Sequence, residues 1–183
     1  MKKTLLSAAV FTTTLVSAVS VYAADPVPPT PKPPQTKIHW EGSIADIIPG
    51  DNLIITGNSG ATTIATGDLN LEKNGTFDSS EIILETHRYD SVQRLVGDLT
   101  SATWKITDLN YRWGENKIGK TSLKVFDMLS ASPTTELVVG TDILNVERMS
   151  LKVKNETPLD VTDITDTSAT ARVDLTMTAA LVL

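Results

Sequence analysis

Two stretches of strict alternation bracket this chain. From Thr36 to Ile44, residues Ile38, Trp40, Gly42 and Ile44 fall on one face at period two, while Lys37, His39, Glu41 and Ser43 fall on the other. From Ala171 to Leu183, the odd positions Ala171, Val173, Leu175, Met177, Ala179, Leu181 and Leu183 are all apolar, and Arg172, Asp174, Thr176 and Thr178 alternate with them. Each pattern is that of a strand with one apolar side. Shorter strand-like runs lie between: Ile47-Ile48, Leu53 to Gly57, Leu69 to Lys73, Glu81 to Thr86, Ala102 to Leu109, Ser122 to Phe126, Glu136 to Val139 and Ile143 to Val153. Turn chemistry separates them, at Pro49-Gly50-Asp51-Asn52, Asn58-Ser59-Gly60, Asn74-Gly75, Trp113 to Asn116, Ser132-Pro133 and Asn155 to Pro158. A helical period is hinted at only over Ser91 to Leu99, where Gly97 interrupts it. Many short strands with turns between them predict an all-β fold, a β-sandwich.

The last strand sets a problem for that sandwich. With seven inward apolar positions it belongs over a core with a neighbour on each edge, and the sequence stops on it. The Ile38 to Ile44 strand either folds back to supply the missing neighbour or is lent to a second copy. A stiff spacer ahead of it adds nothing to closure within one chain, which favours lending. That spacer is Ala24 to Gln35, with six of the nine prolines, and it predicts an extended polyproline-type segment.

Composition narrows the setting. Met1-Lys2-Lys3, the apolar run Leu5 to Val19 and the Val21-Tyr22-Ala23 end predict a secretory signal over residues 1–23, cut after Ala23. Without Lys2 and Lys3 the remaining 160 residues carry 14 basic and 22 acidic side chains, a net charge of about −8 that disfavours nucleic acid as a partner. There are no cysteines, so thiol chemistry and disulfide staples are both excluded.

Candidate chemistry is sparse. His39 and His87 are the two histidines and share no metal-ligand spacing; Asp160, Asp163 and Asp166 lack the glycine and terminal Glu of a calcium loop. The sequence therefore predicts neither an enzyme nor a cofactor or metal site. Asn74-Gly75-Thr76 and Asn155-Glu156-Thr157 match a glycosylation sequon, but Asn74-Gly75 reads better as a hairpin turn. Trp104, Tyr111, Arg112 and Trp113 remain: core or rim packing is one reading, a sugar-binding platform the other.

The segment His39-Trp40-Glu41-Gly42-Ser43-Ile44 resembles the donor strand of chaperone–usher fimbrial pilins, and the alternating Ala171 to Leu183 resembles their C-terminal strand. The layout of signal, donor segment, about seven strands and no cysteine is similar to the cysteine-free colonisation-factor pilins of enteric bacteria. The long proline leader departs from the pattern, as does Ala180-Leu181-Val182-Leu183 where many members have a penultimate aromatic. The resemblance implies a signal at 1–23, a proline-rich extension at 24–35, a donor strand at 36–45 and a pilin domain at 46–183. That domain would be an incomplete immunoglobulin-like sandwich of about six or seven strands, completed by Ile38, Trp40, Gly42 and Ile44 of another subunit. The groove along Ala171 to Leu183 would accept first a periplasmic chaperone and then, at an outer-membrane usher, the next subunit. The product would be a surface fimbria. A stand-alone exported β-sandwich that binds carbohydrate or protein is the competing expectation.

Overall fold

The computed structural model describes residues 32–39, 47–118, 122–160 and 170–182, and for 36–39 and Lys117 the backbone alone. The expectations for the signal, most of the proline-rich extension, Trp40, Gly42, Ile44, Asp163, Asp166 and Leu183 lie outside the described residues. The strands are β1 (Gln35–His39), β2 (Ile47–Ile48), β3 (Leu53–Thr56), β4 (Leu69–Leu71), β5 (Phe77–Ser79), β6 (Ile82–Asp90), β7 (Leu95–Leu99), β8 (Ala102–Trp113), β9 (Asn116–Lys117), β10 (Leu123–Asp127), β11 (Asp142–Val146), β12 (Arg148–Asn155) and β13 (Ala171–Leu181). Among the described residues there is no α-helix. The fold is all-β.

These strands form two antiparallel sheets. One runs β11-β8-β13-β1-β2, with β9 on β8; the other runs β3-β6-β12-β5-β4, with β10 on β12 and β7 on β6. The apolar side chains of the two inner faces meet in one core. The first sheet contributes Ala102, Trp104, Ile106, Tyr111, Trp113, Val173, Leu175, Met177 and Ala179; the second contributes Leu53, Ile55, Phe77, Ile82, Leu84, Val125, Met149, Leu151 and Val153. Phe77 and Tyr111 touch edge to face across the layers, their centroids 5.1 Å apart. Each buried Leu, Ile, Val or Met contributes about 1.5–3 kcal/mol.

Two irregularities explain where simple alternation fails. In β8 the inward set changes from the even positions Ala102, Trp104 and Ile106 to the odd Leu109, Tyr111 and Trp113. The switch occurs where Thr176 faces Asp108 but Met177 faces Ile106, so Thr107 is an extra residue, a β-bulge. The strand therefore continues to Trp113 rather than stopping near Leu109. The run Ile143 to Val153, continuous in sequence, is cut at Glu147 into β11, which joins the first sheet, and β12, which joins the second.

Other expectations are corrected. Ser91 to Leu99 is no helix: residues 91–94 turn, with Arg94 at φ 58°, and the chain returns as β7 against β6. Glu136 to Val139 forms no strand and makes only an isolated bridge from Glu136 to Phe126. The strand β5 was hidden in a polar segment. The Asn74-Gly75 turn is present between β4 and β5, with Gly75 at φ 81° and its N–H donated to the Glu72 carbonyl at 2.9 Å. Asn155 is buried, and its amide donates to the carbonyls of Gly75 (3.0 Å) and Thr157 (2.9 Å), so this sequon is closed to modification in the folded chain.

Candidate strand-acceptor site

β13 holds the centre of the first sheet because its inward positions leave no alternative. Val173, Leu175 and Met177 are wholly buried and Ala179 is 1% exposed, while Ala171 and Leu181 are partly buried against the same cluster. One edge pairs with β8 over the whole strand, from Ala171 opposite Trp113 to Leu181 opposite Ala102. The other edge receives β1, antiparallel, with Gln35 opposite Thr178, Thr36 opposite Met177, Lys37 opposite Thr176, Ile38 opposite Leu175 and His39 opposite Asp174. Pro34 extends this contact, its carbonyl accepting the Ala179 N–H at 3.3 Å. β1 in turn pairs with β2 through Gln35–Ile48 and Thr36–Ile47.

The neighbour that the C-terminal strand requires is thus drawn from the chain's own N-terminal segment. Of the expected donor strand, Thr36 to His39 lie within β1; of its four inward positions Ile38 is among them, and Trp40, Gly42 and Ile44 lie outside the described residues. The pairing begins at Gln35, a residue earlier than the expected boundary between spacer and strand. In this single chain the segment lies on its own β13, which is the fold-back alternative.

The polar side of β13 is less simple than its alternation suggests. Asp174 is only 4% exposed, although it alternates with the core positions. The Arg172 guanidinium holds its carboxylate at 2.7 Å, and Arg112, across the ladder on β8, approaches at 3.5 Å. Arg172 and Arg112 are themselves directly opposed, so Asp174 separates two cations that would otherwise repel. Sequence spacing alone could not reveal this, because Arg112 lies sixty positions away and its register depends on the Thr107 bulge.

The aromatic platform does not form. Trp104 is wholly buried, Tyr111 is 1% exposed and Trp113 8%, and Trp104 donates its indole N–H to the Val146 carbonyl at 2.8 Å. Burial pushes the Tyr111 phenol up to about 12. The alternative reading, core packing, describes these three rings; Arg112 alone of the four reaches the surface.

A second polar cluster escaped sequence analysis. Glu85 on β6 is 4% exposed and accepts the Gly60 N–H at 2.9 Å, His87 Nε2 lies 3.1 Å from its carboxylate, and Arg148 Nε lies 3.3 Å from it. Arg148 also donates to Asn58, and His87 Nδ1 faces the Gly97 carbonyl at 3.0 Å. Burial would raise the Glu85 pKa, but the His87 hydrogen bond, the Gly60 and Ser59 N–H groups and the Arg148 charge outweigh it, leaving the carboxyl below its ordinary value. The cluster fastens the Asn58–Gly60 turn, which contains Ser59 at φ 59°, onto β6. With its carboxylate saturated by donors, it has no free base or nucleophile to offer a substrate. Among the described residues no group of three or more acidic or histidine side chains is placed to hold a metal ion.

No protein-family model, curated protein or solved structure matches this chain.

Proposed function

We propose that this protein is a structural subunit of a surface fimbria, exported through the periplasm and joined to its neighbours by strand exchange in support of adhesion and colonisation. One observation carries the reading: the inner strand β13 is covered on one edge only by the short N-terminal segment β1, over five facing pairs against eleven on the other edge. Five main-chain pairs contribute about 0.5–1.5 kcal/mol net apiece, modest beside the core, so of the two neighbours of β13 it is β1 that leaves more readily. An identical segment of a second copy fits the same place. Neighbouring subunits, a periplasmic chaperone and an outer-membrane usher are the partners this reading calls for. A host receptor would have to engage a surface other than the buried aromatics.

A second reading is favoured by the pairing itself. Because β1 lies on its own β13, the chain is also describable as a closed exported sandwich, a stand-alone module that binds carbohydrate or protein.

The absence of cysteine makes the two separable. Directly opposed antiparallel residues sit about 4.5–5.5 Å apart at Cα, within disulfide reach. Gln35→Cys with Thr178→Cys, expressed with the neighbouring genes and oxidised on the cell surface, should give a ladder of covalently linked multiples on a non-reducing gel. A cross-link confined to single chains would overturn the fimbrial reading in favour of the closed module.

A further inference from the structure

The pairing of β1 with β13 does not begin with a strand. Ahead of Gln35, residues 32–34 lie along the Pro49-Gly50-Asp51 turn, held by two backbone hydrogen bonds and a close approach to Gly50. The Lys32 N–H donates to the Asp51 carboxylate at 3.0 Å. Pro33 and Pro34 have no N–H to satisfy. The Pro34 carbonyl accepts the Ala179 N–H. Pro34 is buried although Lys32 and Pro33 before it and Gln35 after it are exposed. A side chain on Gly50 would collide with this segment, since a Cβ there would stand 2.7 Å from the Lys32 oxygen, 2.8 Å from the Pro34 nitrogen and 2.9 Å from Pro34 Cδ. Lys32, Pro33 and Pro34 form one side of a small cavity whose other walls are Asn52, Leu53, Ala179, Ala180 and Leu181.

We infer that the Pro49–Asp51 turn is a clamp for the Lys32-Pro33-Pro34 end of the N-terminal segment and sets the register in which that segment docks on β13. An alternating strand alone leaves slips of two residues nearly equivalent, because each slip returns the same face to the core. The clamp removes the ambiguity. A slip of two would press a different residue onto Gly50, and any residue but proline there would bring a buried N–H with no acceptor. The last two prolines of the leader are therefore part of the docking segment and not of the spacer. The inference rests on the strand-exchange reading for the identity of the occupant, residues 32–39 of a second copy; the clamp acts in the same way on the chain's own segment.

The test uses the full mature chain with two cysteine reporters, Gln35→Cys/Thr178→Cys for the observed register and Gln35→Cys/Thr176→Cys for a slip of two. In each, Gly50→Ala and Pro34→Gly are introduced separately. Gly50 has no left-handed backbone angle, so alanine there meets only the docked segment; Pro34→Gly alters the segment and leaves the turn intact. Circular dichroism and thermal melts identify the folded samples. The expected result is that either substitution lowers cross-linking in the observed register at least tenfold and raises the slipped product. Unchanged cross-linking in the observed register for the folded variants would overturn the clamp. Should Gly50→Ala not fold, the Pro34→Gly pair decides alone. The fimbrial reading is judged separately by the mass of the product: multiples of the chain support it and single chains count against it, while the register ratio judges the clamp in both cases.

Discussion

Glu85 shows how one buried carboxylate can secure a turn. Its folded pKa is lowered from 4.5, so the stability it contributes is fully present above that value and is lost as pH falls through the depressed one. Glu85→Gln should flatten the acid limb of a stability-against-pH curve measured by urea unfolding, and at neutral pH should cost about 1–3 kcal/mol by weakening a saturated set of donors. Hydrogen exchange at Gly60 should quicken in the same variant. Gly75 makes a different demand: at φ 81°, with the Leu159 side chain filling the place of a Cβ, Gly75→Ala meets both backbone strain and a clash. We expect a loss of about 1–3 kcal/mol, read as a lowered thermal midpoint. Trp104→Ala removes the largest wholly buried ring together with its bond to Val146 and should cost about 3–5 kcal/mol.

At the scale of elements, the two edges of β13 differ in length and should differ in motion. Native-state hydrogen exchange should find the amides bonded to β8 protected to near the global unfolding energy and the Ala179 amide, bonded to Pro34, released at a lower one. Equal protection on both edges would show that β1 opens only with the whole domain. The C-terminal alternating segment was readable from sequence because a half-buried strand writes its burial at period two, as Val173, Leu175, Met177 and Ala179 do. Strand β8 was readable only to its bulge, since one extra residue at Thr107 reverses the inward parity and makes Tyr111 and Trp113 look like an exposed strand end. The change of sheet at Glu147 was hidden because β11 and β12 are joined by a single residue, with no turn chemistry to mark it. The contacts of Arg112 with Asp174 and of Arg148 with Glu85 depend on cross-strand register, which no local spacing encodes.

For the molecule as a whole, the sandwich carries no disulfide and relies on a core assembled from both sheets, one of which is finished by the N-terminal segment. Removal of residues 32–39 should expose the β13 edge beside Ala179 and Leu181, and the shortened chain should self-associate in light scattering and bind a hydrophobic dye, whereas the chain that keeps them should do so far less. Supplying the missing piece as a free peptide of residues 29–45 should suppress the association. The antiparallel sense of β1 on β13 has a mechanical corollary. With Gln35 opposite Thr178, residues 32 and 182 leave the sheet at one and the same end. Tension applied between them in a lone chain peels the pairs apart one after another, a weak mode. Were β1 to belong to a neighbour and the pull to come through that neighbour's body along the strand axis, all five rungs would be strained together, and the same contact would resist as a shear joint.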